Sequence, residues 1–315
     1  MPRVIDDCGE GAIDLEELVD RLETGRFDPD DEDSVAAFAP DLASLGRNRR
    51  FLADFVVEEL KQSCAGQNAR NQYGAQVILL HGSPNRFLVR ANFWPSAEDS
   101  VVVNSGADPF FYGVPHDHNF SFLTVGYLGP GYWSDYYEYE YNQVVGHPGE
   151  PVDLKFVERS RLSEGKVMLY RRHRDIHAQL LPDSLSVSLN VLAVSPTSEF
   201  RDQYRFDLER REVASIINPS GLATLVRLAG HFGGDEGREL VDRFASTHPS
   251  ERIRFAAIQA QAGCAGGVDQ RLEVYERAAS GGGAYVEAMA RREVQRIRAA
   301  RAWIERPVAE VQAAA

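Results

Sequence analysis

The chain of 315 residues has few cysteines, little basic charge and no long apolar run, and each shortage excludes a class of protein. Its three cysteines, Cys8, Cys64 and Cys264, are far apart and form no Cys-x-x-Cys pair, which argues against a disulfide framework and a zinc knuckle. Lys and Arg number 34 against 47 Asp and Glu, and this net charge of −13 argues against nucleic-acid binding. No stretch approaches about 18 consecutive apolar residues, and no apolar run follows a basic start. We therefore expect no membrane span, no signal peptide and a cytoplasmic protein with reduced thiols.

Hydrophobic patterning divides the chain into three segments. Residues 1–72 are predicted to be helical, with helices near 13–22 and 47–62 that are separated by an acidic loop and Pro40. Residues 73–217 contain short β-rich runs between Gly, Pro, Asn and Asp turns, which indicates an antiparallel sandwich or barrel. One predicted strand covers 100–104, and the last two are expected to form a closing hairpin. Residues 218–315 return to a helical pattern.

The helical C-terminal segment resembles a known repeat. A proline-opened turn at His248-Pro249 is followed by an Arg-x-Arg-x-Ala-Ala helix, as in the second half of a HEAT-type repeat. Residues 268–279 and 285–300 supply a possible second pair of helices. The resemblance implies an extended surface for a protein partner. A plain helical pair is the other interpretation, because solenoids usually need about three or more repeats.

The residues that carry chemistry are histidines of the β-rich segment. His116 and His118 stand at i and i+2, so both side chains project from the same face of an extended strand, while Asp117 points to the other face. About sixty residues later comes His177, which a neighbouring strand would bring to the same place. His173 competes for that role, since it lies four residues earlier with the same parity. Three imidazoles on one face suit a divalent transition metal.

These histidines and the strand density resemble the cupin superfamily, whose small jelly-roll barrels hold one metal inside. His116 and His118 match its first metal-binding motif, and His177, preceded by Gly165, resembles its second. The resemblance covers about residues 75–200 and implies a mainly β fold with α: a cupin-type jelly-roll barrel between an N-terminal helical segment and a C-terminal helical, HEAT-like domain. The glutamate usual in the first motif has no counterpart at 119–124. The implied ligand set is therefore three histidines.

A three-histidine cupin site resembles that of the thiol dioxygenases, cysteine dioxygenase among them, and this resemblance implies Fe(II). In that family an arginine on an earlier strand binds the substrate carboxylate, and Arg90 lies at a comparable distance before His116. The family's cross-linked cysteine is replaced by Leu123, and its late tyrosine falls near Val194, so the thiol substrate is not carried over. A structural ion pair is the other interpretation of Arg90. Arg90 also belongs to the less apolar of the two alternating sets of residues along its strand. The alternative that its side chain lies outside the barrel therefore stays open.

The aromatic run at residues 132–141 is a second candidate part of the site. It contains Tyr137, which we assign a catalytic role as a hydrogen-bond donor to substrate or oxygen, with packing on a sheet as the alternative.

Together these features predict a mononuclear non-haem iron(II) oxygenase that uses O2 to oxidise a small polar, amino-acid-like substrate. Two alternatives remain open. One is a metal-dependent isomerase or lyase of the cupin type. The other is a non-enzymatic sensor or scaffold that binds a partner through the helical end. We expect no nucleic-acid or membrane partner, and the helical end leaves room for a homodimer or a protein partner.

Overall fold

The computed structural model describes residues 1–6, 8–74, 76–218 and 220–304. Contacts between residues divide the chain into two units. The first comprises Met1–Val144 and Pro151–Ile217, and the second comprises Val145–Glu150 and the residues from Asn218 on. The N-terminal helices and the β-rich segment thus belong to one unit. Whether the three segments named from the sequence fold as separate domains stays a prediction.

Antiparallel strands build the first unit. They are β1 (Arg3–Ile5), β2 (Val77–Ser83), β3 (Phe87–Trp94), β4 (Phe122–Leu128), β5 (Trp133–Glu138), β6 (Lys155–Arg161), β7 (Val167–Tyr170), β8 (Asp175–Leu180), β9 (Ser186–Ala193), β10 (Tyr204–Asp207) and β11 (Glu212–Ile216). One sheet has the order β1-β7-β4-β9-β3-β2 and another the order β6-β5-β8. The last two strands form the predicted closing hairpin.

The strand order is that of a jelly-roll barrel. An extended segment around His116 bridges to β8 and therefore extends the β6-β5-β8 sheet. Taken along the chain, β3, β4, β7 and β9 enter the large sheet, whereas the His116 segment, β5, β6 and β8 enter the smaller one. This alternation between two facing sheets defines a double-stranded β-helix. The predicted fold class, mainly β with α and with a cupin-type barrel, is confirmed.

Helices cover the outer face of the large sheet. They are α1 (Leu15–Thr24), α2 (Glu32–Ala36), α3 (Ala39–Arg47), α4 (Phe51–Lys61) and α5 (Ala65–Arg70). A buried cluster joins the first four of them to alternate residues of the sheet, including Val89, Ala91, Leu123 and Val191. Because side chains alternate along a strand, the other residues of β3 and β9 face the barrel interior. The apolar phase of β3 therefore packs against helices, and the polar phase lines the barrel.

One local expectation was incomplete and one was wrong. The acidic loop and Pro40 lie between α1 and α4, as expected, but that segment also forms two further helices, α2 and α3. Pro40 lies in the first turn of α3, where a backbone N–H has no intrahelical acceptor, so proline loses no hydrogen bond there. The Asp31 side chain caps α2 by accepting from the Asp33 N–H. The strand expected at 100–104 is a helix, α6 (Ser100–Ser105), in spite of three consecutive valines. Tertiary packing overrides β propensity there, and Val102 is buried in the barrel core.

The second unit is helical, with α7 (Gly221–Phe232), α8 (Gly234–Thr247), α9 (Glu251–Gly263), α10 (Val268–Ala278) and α11 (Ala284–Ile304). Helix α9 contacts each of the other four, and its apolar residues, Ile253 and Ala257 among them, are buried. The helical character is confirmed, whereas the relation to HEAT repeats stays a prediction. Among the described residues, no helix combines the length and apolar character needed to span a membrane.

Candidate metal centre

Backbone pairing places His116 directly opposite His177. The His116 N–H donates to the His177 carbonyl at 3.1 Å, and the His177 N–H donates to the His116 carbonyl at 3.0 Å. Residues that exchange both bonds in this way present their side chains on the same face of the sheet. His118, two residues further along, shares that face. All three imidazoles are buried, with 4%, 2% and 7% exposure for His116, His177 and His118.

The three rings converge through their Nε2 atoms. The Nε2 atom of His177 lies 3.0 Å from that of His118 and 3.2 Å from that of His116. For metal–nitrogen bonds of about 2.1 Å, two ligand atoms lie about 3.0 Å apart at right angles and about 3.4 Å apart at tetrahedral angles. The observed separations fall within this range. The donor set therefore fits one divalent transition metal, although imidazoles do not select iron over its neighbours.

Hydrogen bonding and burial keep these imidazoles in the form that binds metals. The His116 Nδ1 donates to the Val114 carbonyl at 2.8 Å, which leaves a lone pair on its Nε2. Burial lowers the pKa of His116 to about 4 and holds the pKa values of His118 and His177 well below their ordinary value. All three rings are therefore uncharged at neutral pH.

Asp117 is turned away from the histidines, as its parity predicts. Its carboxylate accepts from the Tyr139 hydroxyl at 2.5 Å and from the Tyr204 N–H at 2.6 Å. Burial raises the pKa of Asp117 to about 7, although both hydrogen bonds oppose the rise. The bond to Tyr204 ties the histidine segment to β10, and the bond to Tyr139 ties it to the residue after β5. The site is thus not a two-histidine, one-carboxylate triad.

A cavity of about 310 Å³ is lined in part by His116, His118 and His177. Its wall has two main kinds of side chain besides the histidines. The aromatic ones are Tyr73, Trp94, Phe111, Phe120, Phe122 and Tyr132, and the carboxamides are Gln76, Asn92, Gln179, Asn190 and Gln203. Among the described residues, no aspartate or glutamate lines it. Several of its polar atoms are buried without a hydrogen-bond partner, including Asn92 Oδ1 and Gln179 Oε1. The cavity therefore offers unused hydrogen-bonding groups to a polar ligand.

Arg90 lies in the wall of this cavity together with the histidines. Its guanidinium carbon is 4.7 Å from the centre of the Tyr73 ring, a cation–π contact, and its Nε is buried without a hydrogen-bond partner. Burial lowers the pKa of Arg90, but an arginine stays charged. The alternative that Arg90 lies outside the barrel is therefore excluded.

The structure does not bring Tyr137 to the site, which corrects its predicted placement. Its ring packs against Phe156 with centroids 5.3 Å apart, on the face of β5 turned away from the histidines. Its neighbour Tyr136 lies opposite His177 and points inward. The Tyr136 hydroxyl is hydrogen-bonded to that of Tyr170 at 2.9 Å, and the Tyr170 ring lies 4.9 Å from that of His177. The register between β5 and β8 decides which tyrosine faces inward, and register is not readable from the sequence.

His173 is not part of the cluster. It occupies the turn before β8 with a φ of +57°, and its ring lies against that of Tyr141 at a centroid distance of 3.7 Å. The choice between His173 and His177 is therefore resolved geometrically in favour of His177. The cavity's carboxamides were not singled out from the sequence. A usable signal existed for one of them, because Gln179 stands two residues after His177 on the same strand.

Comparisons with known proteins add similarity of structure only. No protein-family model and no curated protein matches the chain. A DMSP lyase from Ruegeria pomeroyi is similar over 40% of this chain and 52% of its own, with 12% identity and a TM-score of 0.23. A cupin-like protein from Thermotoga maritima is similar over 43% of this chain and 80% of its own, with 12% identity and a TM-score of 0.23. A structure of prolyl 4-hydroxylases from Phytophthora capsici is similar over 90% of this chain and 83% of its own, with 14% identity and a TM-score of 0.24.

The chain spans about half the length of the lyase that it matches. TM-scores of this size carry no argument about function. The assignment of the fold rests instead on the strand order and on the burial pattern of the two sheets.

Proposed function

We propose that this protein is a mononuclear non-haem iron(II) oxygenase that uses O2 to oxidise a small polar, amino-acid-like substrate. The observation that carries the proposal is the convergence of three uncharged imidazoles on one point in a cavity that also contains Arg90. His116, His118 and His177 would hold the ion. When bound, iron(II) supplies open coordination positions at which substrate and O2 meet and exchange electrons.

Arg90 is assigned the role of binding and orienting an anionic group. A guanidinium offers paired donors that match a carboxylate, and the unpartnered Nε is one such donor. The Tyr73 ring packs against the Arg90 guanidinium. This contact fixes the orientation of the guanidinium and therefore the direction of its N–H donors. Since no carboxylate among the described residues of the wall competes for it, Arg90 is available to a substrate.

The aromatic wall is assigned the role of excluding water. The Phe122 ring stacks on the Tyr170 ring with centroids 4.4 Å apart. The centroid of the His118 ring lies 4.9 Å from that of Phe122 and 5.1 Å from that of Phe120. Such rings surround the metal-facing imidazoles with apolar surface. Exclusion of water by a bound substrate and these rings would strengthen the attraction between Arg90 and a carboxylate and protect reactive species from water.

The test is anaerobic reconstitution with iron(II), followed by measurement of oxygen uptake with a panel of amino acids and related acids. Substrate-dependent uptake by the iron form supports the proposal. Metal-dependent turnover without oxygen would contradict it and favour an isomerase or lyase. Protein that takes up no metal at all would also contradict it and favour a sensor or scaffold.

Arg90→Gln tests the carboxylate-binding role. Charge-assisted hydrogen bonds contribute about 1.5–3 kcal/mol, so kcat/KM is expected to fall about 10- to 150-fold, mainly through KM. The matched control is Arg159→Gln, because Arg159 is exposed and pairs with Asp135 on the outside of the barrel. An unchanged KM in Arg90→Gln, or an equal change in the control, would refute the role.

A further inference from the structure

Gln179 lies beside the three histidines, and no role has yet been given to it. It stands on β8 two residues after His177, so both side chains point into the barrel, and it is 5% exposed. Its Nε2 atom is 3.3 Å from the Nε2 atom of His177. Its Oε1 atom is buried and has no hydrogen-bond partner. The carboxamide is therefore close to the candidate metal position with its better metal-binding atom unused.

The spacing of this group matches that of the histidines. The Nε2 separations between His177 and its two partners are 3.0 and 3.2 Å, and the carboxamide adds a fourth atom at 3.3 Å from His177. These values lie within the range of about 3.0–3.4 Å expected for ligands of a single ion. A half-turn of the carboxamide exchanges its nitrogen and oxygen with little change of shape. That half-turn would place Oε1 next to the His177 ring. Since Oε1 has no hydrogen-bond partner in its present position, the half-turn breaks no hydrogen bond that Oε1 accepts.

We propose that the Oε1 of Gln179 is a fourth ligand of the metal. The inference rests on the proposed function, since it needs a metal at the three histidines. A carboxamide oxygen is an accepted ligand for divalent cations, and it carries no charge. Gln179 therefore occupies the place that a carboxylate takes in many metal sites, but it leaves the full positive charge on the ion.

Two consequences distinguish this site from a purely three-histidine one. With four protein ligands, an ion of six-fold coordination keeps two open positions. If O2 is to bind at one of them, the substrate can bind the ion through only one atom. The four ligands are neutral, Arg90 is cationic and no described wall residue is a carboxylate. The ion and Arg90 thus favour an anionic ligand, with one end on the metal and the other on the guanidinium.

The alternative role for Gln179 is a hydrogen bond alone. In that case its amide N–H donates to the His177 Nε2, and the side chain positions the ring without touching the ion. The two roles differ in what a metal probe detects. A lost or exchanged ligand changes the ligand field of a bound ion, whereas a lost hydrogen bond changes affinity with the ligand set intact.

The experiment titrates Co(II) into the metal-free full-length chain and records its visible absorption and dissociation constant. Gln179→Ala removes the oxygen, and Gln179→Glu keeps its size while adding a charged ligand atom. Asn190→Ala is the control, because it removes a carboxamide from the opposite sheet of the same cavity. We expect at least about tenfold weaker binding in Gln179→Ala. We also expect tighter binding in Gln179→Glu, altered Co(II) spectra in both variants, and a wild-type spectrum in the control.

The outcomes separate the two proposals. If the wild type binds Co(II) and Gln179→Ala gives the wild-type spectrum, Gln179 is not a ligand and only this inference fails. If the control alters the spectrum as much as Gln179→Ala, the effect is not specific to Gln179 and the inference again fails. If the wild type binds no metal, the proposed function itself fails. If Gln179→Ala does not fold, an unchanged Co(II) spectrum in the isosteric Gln179→Glu variant still refutes the inference.

Discussion

Metal binding is expected to stabilise the first unit, because the three converging Nε2 atoms are preformed only in the folded chain. A ligand that binds the native state alone adds RT ln(1 + [L]/Kd), which is about 2.7 kcal/mol at one hundred times Kd. For units of about 150–250 residues, each kcal/mol raises Tm by about 2–4 °C. We therefore expect Tm to rise by about 5–11 °C.

The assay is scanning calorimetry of chelator-treated protein, with Mn(II), Fe(II), Co(II), Ni(II) or Zn(II) added, the iron under anaerobic conditions. His116→Ala removes one of the converging nitrogens and is expected to lose most of the shift. Its own metal-free Tm serves as the baseline, because loss of a buried ring also lowers stability. Only the change on adding metal is compared.

His231→Ala is the control for adventitious binding. His231 is exposed on α7, and its Nδ1 lies 4.0 Å from the sulfur of the exposed Cys264, so it represents a surface imidazole outside the barrel. The control is expected to keep the full shift. Equal shifts in His116→Ala and the wild type, or no wild-type shift with any of the five metals, would refute the reasoning.

Two further predictions concern the framework around the site. Partial burial raises the pKa of Glu138, but the N-terminal ammonium and Arg171 donate to its carboxylate and together lower it from 4.5 to about 2. A depressed pKa stabilises the fold above the unfolded value, and solvent screens this surface carboxylate, so about 1 kcal/mol is lost as the pH falls from about 5 toward 2. Denaturant unfolding should show this loss in the wild type and a shallower one in Glu138→Gln; parallel losses would contradict it. Gly131 has a φ of +82°, and an added Cβ would collide with the Leu162 carbonyl, so Gly131→Ala should lower the free energy of unfolding by about 2 kcal/mol or more. Gly106→Ala is the control, since Gly106 lies in the same unit and also has a positive φ, but open space around it. Equal losses of the free energy of unfolding would mean that backbone strain alone is responsible.

Local spacing predicted the part of the site that depends on a single strand. The His-x-His pattern predicted that the side chains of His116 and His118 lie on one face of the strand and that of Asp117 on the opposite face. The structure has this arrangement. The third histidine came from a resemblance, because the sequence does not say which strands are neighbours. In the structure, the antiparallel β-bridge between His177 and His116 shows that their two extended segments are neighbours.

Features that depend on register or on burial of both faces were not predictable. Tyr136 and Tyr137 have similar local sequence, and only the pairing of β5 with β8 decides which of them faces the histidines. In β3 the apolar residues were a plausible barrel lining, but they pack on helices α1–α4, and Arg90 faces inward. A strand buried on both faces gives no amphipathic signal that identifies the interior.

The division of β3 between its two faces has a consequence for how this barrel can change. Val89 and Ala91 contribute to the packing against the helices, whereas Arg90 and Asn92 contribute to the chamber. Substitutions at even positions of this strand can reshape what the chamber admits while the hydrophobic interface on the other side stays intact. New ligand preferences can thus arise here with little sacrifice of fold stability, and a library restricted to inward positions is the natural starting point for redesign.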